Sequence, residues 1–583
     1  MPKNPQPPSS RTPPRETGAI RKPRGDRITV ALCHPNRYQV AMGALGFHQL
    51  YHLFNQFDQV VCERAVFDPV PSRPVTIESG TPISGFEIIA FSISYETDLV
   101  NLAAMLERAG VPLDAEGRER ANAPLVLVGG ALAFLNPEPL APFADAVAVG
   151  EAEAILPGLI EALLADRARP REELLRGLAR APGVYVPSLY AVSYFEDGAL
   201  KEMHPLTAEA PPRIKRLIMP DLAADPARTR VFTDRAEFSD LFLIELSRGC
   251  PNACRFCSAA YIYRPPRWTP SAAVMEAVAG GRTLRKRAGL VAASATDHPE
   301  FAEIVRGLRA AGMDPSPASL RLDQVSAGLL SELKRAGHKT LTLAPEAGGE
   351  RLRRALNKPI SDERILSVME LVGASGLPRL KLYFQVGLPG ETIAEAEAVV
   401  ELVKKIKAAL ARGAGKRSWP GRLSLSVNPF VPKPATPLQW EPMAEPGELK
   451  KRLNLIARAA GRLGASFSGT SVRESTAQAL IARGDRRLAG VIAHAVREDL
   501  ALARLMKNPP GSPPLSWFVN RDRDCSELLP WDFIDHGFDR RLLQKEREKF
   551  RAGRLTPPCR PGRCRLCAAC NEVVERGSGS PDH

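Results

Sequence analysis

Three cysteines, Cys250, Cys254 and Cys257, stand at C-x3-C-x2-C spacing in the stretch Glu245 to Arg267, just after the apolar run Leu241 to Leu246. Thiolates are soft ligands, and three at short spacing suit either iron–sulfur chemistry or zinc, so the count alone does not name the metal. Four cysteines close the coordination of a 4Fe–4S cluster, whereas three leave one iron open to a small molecule. Gly249 and Pro251 fit a tight loop, and Phe256, one residue before the third cysteine, can shield a cluster from water. A second set, Cys559, Cys564, Cys567 and Cys570, is spaced C-x4-C-x2-C-x2-C. Ferredoxin-type ligation and a four-thiolate zinc site both answer that spacing. Cys525 stands apart from both sets and is not expected to be a ligand.

These loops need elements to hold them. The chain has 583 residues, enough for three or four domains. Residues 1–27 are rich in Pro, Arg and Ser without apolar periodicity and are expected to be disordered. From 28 to 185 apolar strands alternate with helices. The pattern predicts strands at 28–33, 87–94, 125–128 (ending in Gly129-Gly130) and 144–149 (followed by Gly150-Glu151-Ala152-Glu153). Such alternation describes a doubly wound, Rossmann-like parallel sheet, with ligands at the carboxyl ends of its strands. Residues 186–240 read as a connector with a short hairpin near 184–194. Alternation resumes over 241–440, with strands predicted at 289–294, 319–322, 340–343, 380–386 and 422–427. About six β/α units make an open, partial barrel whose chemistry belongs at the strand C-termini. Residues 441–520 alternate apolar and basic residues at helical spacing and predict a helical adaptor ended by Pro509, Pro510, Pro513 and Pro514. Residues 521–583 read as a basic, Cys-rich tail carrying the second metal site.

The loop ELSRGCPNACRFCSAAYIYRPPR resembles that of the radical SAM enzymes, whose pattern is C-x3-C-x-aromatic-C. The resemblance implies a 4Fe–4S cluster whose open iron takes S-adenosylmethionine (SAM), followed by reductive cleavage to a 5′-deoxyadenosyl radical. "LTLAPEAGGERLRRALNKP" resembles the family's fifth-strand segment and assigns Glu346 to the SAM pocket, with Arg321 before it as a partner for SAM oxygens. "VGLPGET" resembles the sixth-strand signature, in which Gly387 and Gly390 allow backbone to approach adenine. The glycine-glycine-glutamate signature is replaced by "VAASATDH", so the contact to the SAM amino group has no assignment. In the first half, "FEIIAFSIS", "PLVLVGG" and "ADAVAVGEAEAIL" resemble the cobalamin-binding domain that precedes the barrel in one large subgroup. That implies cobalamin near Gly129, Gly130 and Gly150. The D-x-H-x-x-G motif that would supply a cobalt ligand is missing: His34 is followed by Pro35 and Asn36. His34, His48, Cys33 and Cys62 therefore read as packing residues. "VNPFVPKPATPLQW", "NPEPLAPFADA", "RGDRRL" and "PWDFIDHGF" resemble an uncharacterised bacterial radical SAM family with a terminal cysteine cluster, so the likeness runs over most of 28–570.

Composition bounds the rest. Hydrophobic residues at 44% and charged residues at 25% are ordinary for a globular protein. No run of 18 apolar residues predicts a membrane span, and the N-terminus lacks the apolar core of a signal peptide, so a cytoplasmic location is expected. Ten cysteines, seven of them in two clusters, suit metal ligation in a reducing compartment. Of the net charge of +14, residues 1–27 carry seven Lys and Arg against two acids, and 540–565 carry ten against two. The two excesses read as a solvated tail plus an arginine-rich helix, with RNA or the ribosome, reached through the C-terminal segment, as the sharper alternative. The expected function is a radical SAM enzyme acting by methyl transfer or another radical modification, reduced by a flavodoxin or ferredoxin. Sulfur insertion of the methylthiotransferase kind through the C-terminal cluster is one alternative. A non-catalytic iron–sulfur, RNA-binding assembly factor is the other.

Overall fold

The computed structural model describes residues 15–570, apart from 71, 319, 501–512, 565 and 566. Residues 1–14, 571–583, Ser319, Pro509 and Pro510, on which expectations were stated above, lie outside the described residues.

The first half is the doubly wound sheet that the alternation predicts. Its strands are β1 (Ile28–His34), β2 (Val60–Val66), β3 (Ile88–Ser92), β4 (Leu125–Gly129), β5 (Ala146–Ala148) and β6 (Val184–Tyr185). They lie in the order β2-β1-β3-β4-β5-β6, parallel except for the antiparallel edge strand β6. Helices such as Leu45–Gln56, Asp98–Ala109 and Ala152–Asp166 cover the faces, which is why strands such as β3 are buried along their whole length. Asp98–Ala109 ends at Gly110 in the left-handed region, a conformation that glycine adopts at no steric cost.

β2 was not expected, because Glu63 and Arg64 interrupt its apolar run. Both are buried, at 6% and 1% exposure. Arg64 pairs with Glu16 at 2.6 Å and Glu78 at 2.7 Å, while Glu63 accepts from Thr76 at 2.6 Å and Ser79 at 2.5 Å. The same pairs correct the expectation of disorder before residue 28. Glu16–Thr17 forms a short strand against Phe232–Thr233, and the Lys22 ammonium donates to the carbonyls of Asn55, Phe57 and Val60.

The barrel is split into two parallel sheets. β7 (Leu241–Glu245), β8 (Arg287–Val291) and β9 (Asp314–Pro317) form one. β10 (Thr340–Glu346), β11 (Arg379–Val386), β12 (Arg422–Pro429) and β13 (Ser466–Ser468) form the other. Two expectations shift here. The third strand is 314–317 and not 319–322, so Arg321 stands before the one-turn helix Leu322–Gln324 and not on a strand. Pro315 and Pro317 lack a donor and are tolerated because β9 is the edge of its sheet. β13 adds a strand inside the segment expected to be helical, between helices Pro446–Arg462 and Val472–Arg483.

The basic C-terminal stretch is part of the body. Ile534–Asp535 pairs in parallel with Ile214–Lys215 of the connector. Helix Arg540–Arg551 places Phe550 among Ala347, Leu352, Leu388 and Phe430 beside the barrel. The connector's hairpin is Tyr190–Tyr194 with Leu200–Pro205, later than expected. The segments "NPEP" and "RGDRRL" meet: Asn136 donates to the carbonyls of Ala482 and Gly484, and Arg486 pairs with Glu138 at 2.8 Å. No helix among the described residues is long and apolar enough to cross a membrane.

One buried pair is a direct stability test. Asp145 accepts from Arg118, which has no exposed side-chain area, from Arg171 at 2.7 Å and from the Val126 amide at 2.7 Å. Asp145→Ala strands a buried guanidinium, and a loss of about 3–5 kcal/mol is expected in urea unfolding.

Candidate active site

The first cysteine loop is pinched at its base by the two-residue strands Ser247–Arg248 and Arg267–Trp268, which pair antiparallel. Gly249 sits at φ +80°, and a Cβ there would lie 2.6 Å from the Tyr263 carbonyl oxygen, so the turn demands glycine. Cys250, Cys254 and Cys257 are half-buried thiols without disulfide partners. Burial first, and then the neighbouring Cys257 and Cys250, push the Cys254 thiol up to about 12, against the charge of Lys358. Phe256 packs onto the cluster of Ala347, Leu388 and Phe430.

Two walls face this loop. On one, Asn252 donates to Asp297 at 2.5 Å and to the Cys250 sulfur at 3.6 Å, and accepts from Arg321. Arg321 is also held by Asp323, and Gln324 donates to Asp297 at 2.7 Å. On the other, Glu346 adopts φ +72°, unusual for a non-glycine residue, at an irregularity in the pairing of β10 with β11. Its carboxylate accepts from Lys358 at 2.8 Å and Gln385 at 2.9 Å. Burial works against the Lys358 charge, but Glu346 and then Cys254 hold its pKa above the ordinary lysine value. Glu346 thus combines a left-handed backbone at a strand end with a carboxylate held by two side chains.

Sequence reasoning placed Arg321 and Glu346 at the site, and the structure brings both to the cysteine loop. It missed Asp297, Asn252, Lys358 and Gln385. Asp297 was legible as the acid of "ATDH" in the place of the missing signature; the other three carry no spacing signal. Gly387 departs from its expected role. A Cβ there would lie 2.5 Å from Leu449, so the glycine makes room for helix Pro446–Arg462, and its amide donates to Glu391. Glu391, which closes this turn, is pushed up to about 7 chiefly by burial. A Cβ on Gly390 would meet open space.

The N-terminal glycines likewise serve the chain itself. A Cβ on Gly130 would lie 2.3 Å from the Ile93 carbonyl oxygen, and one on Gly150 2.2 Å from that of Leu217. Gly129 has only ordinary contact with Ala148. Backbone thus fills the space beside Gly130 and Gly150, which does not fit a cobalamin cradle there, whereas Gly129 keeps only an ordinary contact. His34 and His48 are buried as packing residues: His34 lies edge-on to Phe47, and His48 bonds the Met42 carbonyl.

The residue after Gly150 does something else. Glu151 accepts from Arg267 at 2.6 and 2.9 Å, from Arg248 at 2.9 Å and from the Met219 amide at 2.8 Å. Arg248 also reaches Glu153 at 2.7 Å and Glu245 at 3.0 Å. The end of β5 thus grips both arginines that flank the cysteine loop.

Two family models match this chain. Residues 46–187 match the N-terminal region of radical SAM proteins, and residues 244–403 match the radical SAM superfamily. The chain belongs to the radical SAM superfamily. An uncharacterized protein of Methanocaldococcus jannaschii is 27% identical over 486 residues, covering 82% of this chain and 94% of its own. Another from Methanopyrus kandleri is 28% identical over 239 residues, covering 38% of this chain and 43% of its own. Among solved structures, the radical SAM methyltransferase TsrM of Kitasatospora setae, with cobalamin and a 4Fe–4S cluster bound, aligns with 14% identity and a TM-score of 0.45. That alignment covers 69% of this chain and 75% of TsrM. The cobalamin-dependent radical enzyme OxsB aligns with 14% identity and a TM-score of 0.42, covering 78% of this chain and 66% of OxsB.

Three half-buried thiols on one loop, none in a disulfide, are the soft donor set that a 4Fe–4S cluster takes, and so fit the group the family uses.

The grip on the loop predicts an acid-sensitive seam. Burial opposes the charge on Glu151, but the Arg267 hydrogen bond and the Arg248 and Arg267 charges win and lower its pKa from 4.5 to about 2. A depressed carboxylate contributes stability above its unfolded pKa and loses it as pH falls. Glu151→Gln is therefore expected to flatten the dependence of melting temperature on pH between about 4.5 and about 2. An acid limb as steep as that of the wild type would exclude this role.

Proposed function

We propose that Cys250, Cys254 and Cys257 ligate a 4Fe–4S cluster and that the chain reductively cleaves SAM. The observation that carries this reading is the meeting of the three free thiols with Asn252 and Asp297 on one side and Lys358 and Glu346 on the other. When bound, the cluster supplies the single electron that splits the sulfonium of SAM into methionine and a 5′-deoxyadenosyl radical.

The residues around the loop have separable tasks. Asp297, acidic and 3.7 Å from Arg321, takes the SAM ammonium in place of the missing glutamate. Arg321, whose Nε and Nη2 are held by Asp323, turns its Nη1 toward Asn252 and offers that edge of the guanidinium to the SAM carboxylate. Glu346 has both oxygens engaged, yet a carboxylate has about four acceptor sites, which leaves room for two ribose hydroxyls. Lys358 fixes that carboxylate and carries a positive charge toward the sulfurs of Cys254 and Cys257. Phe256 and its apolar neighbours exclude water from one side of the loop.

The product is a radical modification, with methyl transfer as the first candidate reaction and a flavodoxin or ferredoxin as the electron donor. Cobalamin would have to be held away from the faces of Gly130 and Gly150 that Ile93 and Leu217 cover. Contact with RNA through the basic C-terminal stretch has less behind it, because Arg540, Arg547, Lys549 and Arg551 are paired with Asp532, Glu441 and Glu546.

Reconstituted anaerobically and reduced with SAM present, the wild type is expected to form 5′-deoxyadenosine and Cys254→Ala none. Glu346→Ala should keep its iron and raise the KM for SAM about 10- to 100-fold, the effect of losing a charge-assisted hydrogen bond of roughly 1.5–3 kcal/mol. No 5′-deoxyadenosine from a fully loaded wild type would refute the reading.

A further inference from the structure

The four C-terminal cysteines take no part in the site described so far, and the fold gives them a definite place. None is in a disulfide, and Cys559 and Cys570 are buried. Cys559 and Cys564 line one small void together with Arg264, and the same Arg264 reaches the Cys567 sulfur. The run Cys564-x2-Cys567-x2-Cys570 has the two-residue intervals of ferredoxin-type ligation.

The set also lies against the first cysteine loop. The Cys559 amide donates to the carbonyl of Pro251, the neighbour of Cys250, at 2.7 Å. Asn357 donates to the carbonyls of Ala253 and Thr556, and the Thr556 amide donates back to Asn357 at 2.8 Å. Arg255, between the second and third cysteines of the first loop, is fully buried; it pairs with Glu546 at 3.1 Å and donates to the Arg554 carbonyl at 2.7 Å. Between the two sets lies a void of only about 10 Å³, bounded in part by Ala253, Arg264, Cys559 and Cys564. Arg264, a few residues past Cys257, crosses to the second set, with Nη1 3.6 Å from the Cys567 sulfur and Nε bonded to the Ala260 carbonyl. A buried guanidinium aimed at a gathered set of thiols is the counter-charge that an anionic four-thiolate centre requires.

We propose that Cys559, Cys564, Cys567 and Cys570 ligate a second 4Fe–4S cluster, seated against the first cysteine loop and hydrogen-bonded by Arg264. Its ligation is complete, so it binds no SAM. Its assignment does not depend on the first site being correct, and the test keeps the two apart.

The test is iron, sulfide and zinc analysis with electron paramagnetic resonance on full-length protein reconstituted anaerobically. The wild type is expected to hold about eight iron and eight sulfide per chain, as two four-iron clusters require. The variant Cys250→Ala/Cys254→Ala/Cys257→Ala removes the first site; about half of the iron should remain, with the spectrum of a reduced 4Fe–4S cluster. Cys567→Ser, a milder change to the second set, should lower or alter that remaining signal. Arg264→Met should move the reduction potential of the remaining cluster to more negative values, because a positive charge that favours the reduced form is gone. In the reduced wild type the two signals should broaden one another, as neighbouring spins do. Zinc in place of iron in the triple variant, or no metal at all, would overturn the proposal whether or not the wild type cleaves SAM. Signals that simply add, or a potential unmoved by Arg264→Met, would overturn the placement of the cluster beside the loop.

Discussion

Everything at the candidate active site depends on a buried ion network that ties the N-terminal sheet to the base of the cysteine loop. Glu151 and Glu153, at the carboxyl end of β5, meet Arg248 and Arg267, which stand on either side of the loop's neck. A buried charge left alone is expensive, so each of these four residues fixes the position of the others. The doubly wound domain thus contributes a handle on the loop at the place where such sheets usually hold a ligand. Gly150 belongs to the same device: its bare backbone lets Leu217 lie against the strand end, next to the Met219 amide that also bonds Glu151.

The second half of the support comes from the far end of the chain. Arg255 inside the loop, Glu546 on the last helix and Thr556 beyond it form one buried polar group with Asn357. The loop is therefore held from below by the N-terminal domain and from the side by the C-terminal segment. A three-cysteine cluster needs this, since an iron without a protein ligand must be positioned by the shell around it. The packing of Phe256 against Leu388 and Phe430 adds an apolar wall to the two ionic anchors.

Much of this was legible in the sequence where chemistry and periodicity coincide. The cysteine spacings, the apolar strands of the first sheet and the glycine of the loop turn follow from local pattern. What was hidden are long-range pairs. β2 could not be read because Glu63 and Arg64 break its apolar run, and their partners Thr76, Ser79, Glu78 and Glu16 are 13 to 48 residues away. The C-terminal stretch looked like a solvated basic tail because no single-sequence pattern reports that Arg547 meets Glu441 or that Ile534 pairs with Ile214. Arg321 was placed on a strand that begins and ends earlier, yet it lies beside the cysteine loop, since the loop after an edge strand points the same way as the strand end. Gly387 adds a packing role that the motif does not report, since its bare backbone admits Leu449.

The central claim is that the three-cysteine loop holds a cluster with one iron open to SAM. Electron–nuclear double resonance of the reduced protein with SAM labelled by 15N at the amino group and 17O at the carboxylate tests it most directly. The account predicts hyperfine coupling from both labels, as expected when the amino acid part of SAM binds the open iron. A loaded, reduced cluster that shows coupling from neither label would contradict it.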